Sequence, residues 1–215
     1  FQFSADAILQ SVSKGFSDGI TASVQPSQHC FDAVVLIHPN VHIIAALMRG
    51  IHNQVACKVK YVSLSSGEGE RVIVPHAIIN NGHRWHVRAF DVKSSSFRDF
   101  VCTRFTMVDT TTQLALSNQK AVNDDQFNRL VSLVLMVHPN IAHKQAVEMD
   151  YAMQNGEKIM QVRAALAAYI LRHWQVDCSF EHRIVNQGCQ LALKNHEVLA
   201  NIDNPQLAPG FVGRK

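Results

Sequence analysis

The stretch "RVIVPHAIINNGHRWHVRAFDVKSSSFRDFVCTRF", Arg71 to Phe105, decides the fold because strand-forming runs alternate in it with turn signals. Within "RWHVRAF" polar and apolar residues follow a period of two, which is the pattern of a half-buried β-strand. The runs are rich in Val, Ile and Phe, and "NNGH" and "KSSS" separate them. The stretch therefore predicts consecutive antiparallel strands joined by tight turns.

The residues before this stretch extend the same pattern and add a helix. "CKVKYVSLSS" from Cys57 is a further strand-like run, and "SGEGE" is a turn signal after it. Upstream, Ile43, Leu47 and Ile51 recur at a helical spacing behind Asn40, a good N-cap residue. One helix followed by four or five short strands predicts a small, strongly bent sheet or barrel.

The pattern of apolar residues changes after a polar segment, Asp109 to Asp125, which we interpret as a linker. "FNRLVSLVLMVHPN" predicts a buried strand, "IAHKQAVEMDYAMQNG" a helix, "KIMQV" a strand and "RAALAAYILRHW" a second helix. The chain is thus expected to be α+β, with an N-terminal helical or linker segment at 1–40. A β-rich domain is expected at 41–108, a linker at 109–125 and a compact α/β domain at 126–215.

Positive charge is concentrated in the β-rich part of a chain whose net charge is only +3. Between Cys57 and Arg104, eight basic residues face four acidic ones. The basic residues are Lys58, Lys60, Arg71, Arg84, Arg88, Lys93, Arg98 and Arg104, and the acidic residues are Glu68, Glu70, Asp91 and Asp99. A basic patch in one domain indicates an anionic partner there, although a solvated basic face without a ligand would give the same count.

Two further features limit the class of protein. The longest apolar run, Leu130 to Val137, is far below the roughly 20 residues that a membrane-crossing helix needs. The five cysteines include no C-x-x-C pair, which is typical of reduced thiols in a cytoplasmic protein. We therefore expect a cytoplasmic protein with no membrane partner.

Residues two apart on a strand share a face, so Arg84, His86 and Arg88 should point one way. The same rule places Trp85 on the opposite face, where a role in the core is expected. Arg98 and Arg104 also share a parity, as do Tyr61 and Ser63 with Ser65 in the first strand. If these faces converge, they offer the donors that a phosphate or carboxylate requires, whereas an ordinary wet sheet face is the competing interpretation.

No motif for catalysis or for a nucleotide loop is present. The sequence has no G-x-S-x-G, H-E-x-x-H, Walker or G-x-G-x-x-G pattern. The pairs His138 with His143 and Cys178 with His182 have tolerable spacings for zinc, but neither has a second pair. We therefore predict no enzyme activity, no catalytic residue, no cofactor and no metal.

From Val59 to Phe105 the sequence resembles the WYL domain of bacterial transcriptional regulators, named for a Trp-Tyr-Leu triplet in one strand. Here the triplet is Trp85-His86-Val87, which departs from the motif at its second and third positions. "PHAI", "RWHVRA" and "FRDF" are most similar to the regulators associated with anti-phage defence islands. The sequence after Leu133 resembles the C-terminal extension called WCX, which helps such regulators to dimerise.

This resemblance implies a small Sm-like or SH3-like β-barrel that senses an effector, with a WCX-like extension for dimerisation. The implied effector is anionic, namely single-stranded DNA, an oligonucleotide or a nucleotide. The implied pocket comprises Tyr61, Ser63, Arg71, His76, His86, Arg88, Arg98 and Arg104. His86 stands where the motif has Tyr, and a histidine there adds a group that titrates near neutral pH.

The expected function is therefore the effector-sensing and dimerising part of a regulator, acting as a homodimer in phage defence or in the response to DNA damage. In the family, double-stranded DNA is read by a winged helix-turn-helix, and the forty residues before Val41 are too few to contain one. A stand-alone Sm-like nucleic-acid-binding accessory protein without regulatory coupling is the alternative hypothesis.

Overall fold

The computed structural model describes residues 37–184 and 188–213, and within it the chain from Pro39 onward forms one unit. The helical or linker segment predicted at 1–40 lies almost entirely outside the described residues. The description that follows concerns the unit from Pro39 onward. It contains two antiparallel sheets that lie one after the other along the chain.

The first sheet follows a single helix, as the sequence predicts. Helix α1 spans Val41–Asn53, and the side chain of Asn40 caps it by accepting a hydrogen bond from the His42 amide. The five strands are β1 (Val55–Ser63), β2 (Gly67–Asn80), β3 (Trp85–Asp91), β4 (Ser96–Val101) and β5 (Phe105–Leu114). A short 3-10 turn, Cys102–Arg104, connects β4 to β5.

The sheet is open rather than a closed barrel, which corrects the barrel predicted from the sequence. Its strand order is β4-β3-β2-β1-β5, so β4 and β5 are the two edges. Among the described residues no ladder pairs one edge with the other. Strand β5 also continues into the segment that the sequence suggested as a linker, because Asp109 and Thr110 pair with Lys58 and Cys57 of β1.

One face of this sheet forms the main core and packs against α1. Its buried residues are Leu47, Cys57, Val59, Tyr61, Ile73, Val87, Ala89, Phe100, Cys102 and Phe105. Helix α1 comes close at Gly50, where an added Cβ would lie 2.6 Å from the Cys57 sulfur and 3.0 Å from Pro75. A side chain at position 50 would therefore push the helix away from the sheet.

Tyr61 belongs to this core. Its ring makes edge contacts with Phe100 and Phe105, at centroid distances of 5.1 and 5.0 Å. Its hydroxyl oxygen accepts a hydrogen bond of 3.2 Å from the amide of Val101, at the end of edge strand β4. Tyr61 thus links β1 to the edge of the sheet, and its side chain is almost fully buried.

A bulge in β2 changes the direction of one polar side chain. The ladder with β3 pairs Pro75 with Ala89 and Ala77 with Arg88, so His76 is the extra residue. Proline has no amide hydrogen for the ladder, and a bulge beside it commonly re-aims a side chain. The imidazole of His76 reaches Asp124, outside the sheet.

The second sheet confirms the alternation of strands and helices predicted beyond residue 126. After the short helix α2 (Asp125–Asn128), the order is β6 (Leu130–Val137), α3 (Lys144–Asp150), β7 (Glu157–Arg163), α4 (Ala164–His173) and β8 (Leu191–Leu193). Strand β6 lies between β7 and β8, and alternate residues of β6 are buried against α4. None of the helices in the described ranges is long and apolar enough to cross a bilayer.

Replacing Tyr61 with Phe tests whether this residue serves the core. The change keeps the ring contacts but leaves the Val101 amide without its partner, so the free energy of unfolding should fall by about 1–3 kcal/mol. Urea denaturation measures the loss. An unchanged stability would contradict the structural role, and weaker ligand binding in its place would support the role implied by the family resemblance.

Candidate functional site

The face of β3 that carries His86 and Arg88 is buried, which corrects the expectation that these side chains lie on an accessible face, open to a ligand or to water. His86 is 5% exposed and Arg88 only 2%, whereas Trp85 is 42% exposed. Val87 and Ala89 do enter the core on the other face, as the alternation predicts. Trp85 shares their parity but is the first residue of the strand, and so it is not enclosed.

Arg88 is held by three carboxylates. Its guanidinium donates two hydrogen bonds to Asp124, of 2.8 and 2.9 Å, in a bidentate arrangement. It also donates a hydrogen bond of 2.8 Å to Asp203 and one of 3.4 Å to Asp99. Asp99 faces Arg88 across the β3–β4 ladder, whereas Asp124 precedes α2 and Asp203 lies between the 3-10 turns His196–Asn201 and Pro205–Leu207. The ion pairs therefore join the first sheet to the part of the chain beyond it.

Two more side chains complete this Arg88 cluster, which we define as Arg88, Asp99, Asp124, Asp203, His76 and Tyr169. His76 lies 2.8 Å from Asp124, and the Tyr169 hydroxyl of α4 donates a 3.1 Å hydrogen bond to Asp99. Tyr169 belongs to the second domain, so the first sheet and the second domain both contribute polar groups to the cluster.

The electrostatics of the cluster follow from burial and from the ion pairs. Burial alone would raise the pKa of Asp124, but the hydrogen bonds from Arg88 and His76 lower it below its usual range. Burial raises the pKa of Asp99, and the charge of Arg88 only partly opposes this. Because one guanidinium faces three carboxylates, the cluster holds no surplus positive charge for an anion.

At the other end of this face of β3, around His86, the nearby charges are positive. Burial is the main cause that lowers the pKa of His86 to about 4, and the charges of Arg84 and Arg104 lower it further, although a backbone hydrogen bond at Arg84 opposes them. Its Nδ1 atom is buried without a hydrogen-bond partner, and its ring lies 5.3 Å from that of Tyr169. His86 and Arg104, both implied by the family resemblance, thus lie in a basic environment.

Arg71 and Arg98 belong to a third group around Asp91. Arg71 donates a 2.9 Å hydrogen bond to Asp91, and Arg98 approaches the same carboxylate to 3.9 Å. Arg71 also lines an open groove of about 470 Å³ together with Lys58 and Lys93. Glu70 and Asp109 line the same groove, so its charge is mixed.

The eight residues implied by the resemblance therefore do not form one pocket. Arg88 and His76 meet at Asp124, His86 lies with Arg104, and Arg71 lies with Arg98 near Asp91. Tyr61 is in the core, and Ser63 contacts only Ser65 among the hydrogen bonds of the described residues. Their roles in ligand binding stay a prediction.

Sequence reasoning missed the partners of Arg88 that lie far away along the chain. Asp124 is 36 residues from Arg88, and Asp203 is 115 residues away. No periodicity or motif connects residues at such separations. The signal that could have been used is the tyrosine in "AALAAYILRH", the one phenol in a helix that is otherwise aliphatic until its basic end.

The described residues contain no group of three or more His, Cys, Asp or Glu side chains arranged to hold a metal ion. The His138 imidazole, whose spacing to His143 resembled a zinc pair, lies 3.0 Å from Asp177. Asp177 also accepts hydrogen bonds from the amides of Ser179 and Ile184. This histidine therefore fixes the local chain path in the second domain.

Comparison with known proteins identifies both domains. Residues 42–110 match the WYL domain, and residues 130–199 match the BrxR transcriptional regulator, C-terminal dimerization domain. Both descriptions belong to regulatory rather than enzymatic families, in agreement with the prediction of no enzyme activity.

Relatives with curated names are DNA-binding transcriptional repressors called CapW. The chain is 34% identical over 167 residues to CapW of Pseudomonas aeruginosa, which covers 76% of this chain and 54% of the relative. It is 30% identical over 158 residues to CapW of Escherichia coli strain KTE188, covering 72% and 52%. The chain therefore spans about half the length of the curated relatives that it matches.

Among solved structures, proteasome accessory factor B/C of Arthrobacter aurescens aligns with 74% of this chain and 25% of its own. The identity is 15% and the TM-score 0.36. With its two adjacent domain matches and its named relatives, the chain belongs to the WYL-domain family, with a WYL domain followed by a BrxR-type C-terminal dimerization domain.

Proposed function

We propose that this chain is the effector-sensing and dimerising part of a transcriptional repressor, in which an anionic ligand at the WYL domain controls binding to DNA. The Arg88 cluster carries the proposal. It joins the WYL sheet to the part of the chain beyond it, through Asp124 and Asp203, and to helix α4 of the dimerization domain, through the hydrogen bond from Tyr169 to Asp99, so an event on one domain can change the other. This arrangement favours a regulator over an accessory protein without coupling.

The chemistry of the cluster suggests how a ligand would act. Asp124 and Asp203 satisfy Arg88 in the way that a phosphate or carboxylate ligand would. Because three carboxylates already surround the one guanidinium, the ligand would act from beside the cluster, by favouring or opposing the contact between the domains. In either case the ligand must prefer one of two arrangements.

The DNA-binding part of the proposal comes from the relatives. They are named DNA-binding repressors, and the chain matches about half of their length. We propose that double-stranded DNA is read through a winged helix-turn-helix joined to the regions described, and that the regulated locus serves phage defence or the response to DNA damage. The protein would act in the cytoplasm.

A homodimer is the proposed assembly, and the outer face of the second sheet is the proposed contact. Leu130 and Ile159 on this face are 59% and 62% exposed, and Val134 lies opposite Ile159 in the ladder. An exposed apolar sheet face is a frequent site of association. It lies in the region that matches a dimerization domain, so a second copy of the chain is the expected occupant.

Of the predictions that test the proposed function, the first concerns coupling between the domains. Arg88→Met leaves Asp99 and Asp124 as buried charges without their cation, and should lower the free energy of unfolding by about 3–5 kcal/mol. The two tryptophans, Trp85 in the WYL domain and Trp174 after α4, report on one domain each. Single-tryptophan variants should unfold together in urea in the parent protein and separately after Arg88→Met.

The control is Arg98→Met, which removes an exposed arginine from the same sheet. Substitutions of this kind change stability by less than about 0.5 kcal/mol. The ionic contact does not couple the domains if Arg88→Met shifts the urea midpoints of both tryptophan reporters equally, and by no more than Arg98→Met does.

The second prediction tests the class of ligand. A short fluorescein-labelled oligothymidylate should bind, and its affinity should fall about tenfold or more between roughly 50 and 200 mM salt, because bound phosphates release counterions. The matched control is a methylphosphonate oligomer of the same length, which lacks the charge. Absence of binding tighter than about micromolar at low salt would exclude single-stranded DNA as the effector.

The third prediction tests the dimer contact. Ile159→Lys should weaken self-association at least about tenfold, because it places a charge in an apolar contact. A tenfold change in the dissociation constant corresponds to roughly 1.4 kcal/mol of association free energy. Sedimentation equilibrium over a range of concentrations measures the change. Met149→Lys, at a still more exposed position on α3, is the control. Equal behaviour of the two variants would place the contact elsewhere.

A further inference from the structure

We infer that this chain binds a small, mainly apolar carboxylic acid in a groove beside the WYL sheet. The groove lies between the end of α1, strand β2 and the segment that leads from β5 to α2, and its volume is about 400 Å³. This volume is in the range of ordinary small-molecule pockets. The inference goes beyond the proposed function, because it does not require this ligand to control binding to DNA.

Most of the groove is apolar. The apolar residues that line it are Ile51, Val74, Pro75, Ala115, Ala121 and Val122. Val74 is buried with Ala56 and Phe90, and Ala115 packs against the same small cluster, so the floor of the groove is part of a core. Val122 is 76% exposed, which leaves the mouth open. An apolar molecule that enters from water would therefore bury its surface against side chains that are already in place.

Hydrogen bonds hold the walls of the groove. The amide of Ala115 donates a 2.8 Å hydrogen bond to the carbonyl of Gln54, which joins the connecting segment to the end of α1. The side-chain amides of Asn123 and Asn128 donate 2.7 Å hydrogen bonds to the carbonyls of Ser117 and Ala121. The groove is thus largely formed before a ligand arrives, which lowers the entropic cost of binding.

Gln119 is the residue that indicates a ligand rather than an empty surface. It is only 6% exposed and it lines the groove. Its Oε1 atom accepts a 3.0 Å hydrogen bond from the amide of Leu116, which fixes the orientation of the side-chain amide. The Nε2 amino group has no hydrogen-bond partner among the described residues, although it is not fully enclosed. Buried polar groups are normally paired, so this donor matches an acceptor atom on a bound molecule.

The other polar groups of the groove favour a carboxylate as that acceptor. Lys120, next to Gln119, also lines the groove and is exposed. No Asp or Glu is among the lining residues in the described parts of the chain. The groove beside Arg71, in contrast, is lined by Glu70 and Asp109 as well as by basic residues. A carboxylate can accept a hydrogen bond from the amide of Gln119 and is attracted by the ammonium of Lys120.

His76 connects this groove to the Arg88 cluster. It lines the groove, and its Nε2 atom lies 2.8 Å from Asp124. The rings of Phe97 and Phe127 make edge contacts with the imidazole, at centroid distances of 5.6 and 5.1 Å. Its Nδ1 atom is enclosed, so His76 forms a wall of the groove and does not anchor the ligand. A bound molecule would therefore rest against a residue that holds Asp124 in position.

The test titrates the whole chain with 2-naphthoate, an aromatic carboxylate, by isothermal titration calorimetry. We expect a dissociation constant of about 1 mM or tighter for a ligand of this size. Gln119→Glu keeps the oxygen that accepts from Leu116 but replaces the amino group with a charged oxygen, and it should weaken binding about tenfold or more. The uncharged 2-naphthalenemethanol, whose hydroxyl can donate to the new carboxylate, should lose less than about twofold.

A second variant blocks the groove without changing its polar groups. Ala121→Phe places a ring at an exposed lining position and should weaken binding of 2-naphthoate about tenfold or more, because it fills the space of the naphthalene. The matched control is Ala142→Phe, at an exposed position outside the groove, which should bind within about twofold of the parent chain.

The outcomes separate this inference from the proposed function. No binding of 2-naphthoate to the parent chain, or equal binding by Ala121→Phe and Ala142→Phe, would overturn the ligand site and leave the oligothymidylate test untouched. If Gln119→Glu weakens both probes equally, the carboxylate does not meet Gln119 and the ligand class is wrong. If Ala121→Phe weakens self-association in sedimentation equilibrium, the groove is a contact between two copies.

Hydrogen exchange gives a second readout, on the wall of the groove itself. The amides of Gln119, Lys120, Asn123 and Asp124 each donate to a carbonyl only three residues earlier, in the 3-10 turns Ser117–Gln119 and Ala121–Asn123. Such short turns open locally, and a bound molecule that rests on them slows this opening. Peptides covering 115–124 should therefore exchange more slowly with saturating 2-naphthoate, while peptides covering 138–150 stay unchanged. Protection of both regions alike, or of neither, would contradict binding in the groove.

Discussion

One buried guanidinium constrains the arrangement of this chain. Arg88 lies on a central part of the WYL sheet with 2% of its surface exposed, and a charge in such a place is tolerated only with well-formed partners. Those partners come from β4, from the segment before α2 and from the segment between the 3-10 turns His196–Asn201 and Pro205–Leu207. The second domain must therefore stay against the sheet for Arg88 to be satisfied. A contact of this kind specifies an arrangement more than it adds stability, because desolvation of the charges opposes their attraction.

The charges along this contact are distributed unevenly, and this matters for function. At Arg88 the carboxylates outnumber the cation, while in the described ranges no salt bridge involves Arg84 or Arg104, the cations that act on His86. Helix α4 contacts the first sheet through Tyr169, which bonds to Asp99 and lies beside the His86 ring, and through His173, whose ring lies 5.1 Å from that of His83. One helix of the dimerization domain therefore lies against both the Arg88 cluster and the turn that precedes β3.

The sequence predicted the elements well and the environment of the site poorly. The strand pattern, the helix behind Asn40 and the alternation of strands and helices after residue 126 are confirmed. The shared face of His86 and Arg88 also follows from the period of two. The side chains that cover this face could not be predicted in the same way, because Tyr169, Asp124 and Asp203 are distant from β3 in sequence. Trp85 was expected in the core from parity alone, yet the strand begins there and the core begins one pair later. The run of consecutive strands predicted a small barrel. In the described residues the two edge strands, β4 and β5, do not pair with each other, so the sheet stays open.

The size of the effect that a ligand can have is limited by the contacts that differ between two arrangements. Converting a population ratio from 1:99 to 99:1 requires a difference of about 5.5 kcal/mol in ligand binding. Charged hydrogen bonds contribute roughly 1.5–3 kcal/mol each, so two to four of them, made in one arrangement only, are sufficient. Such contacts must involve both domains, as the hydrogen bond from Tyr169 of α4 to Asp99 of β4 does. A ligand that contacted the WYL sheet alone would bind both arrangements equally and would leave the dimerization domain unaffected. On this reasoning a ligand becomes a signal only where it changes the contacts between the WYL sheet and helix α4.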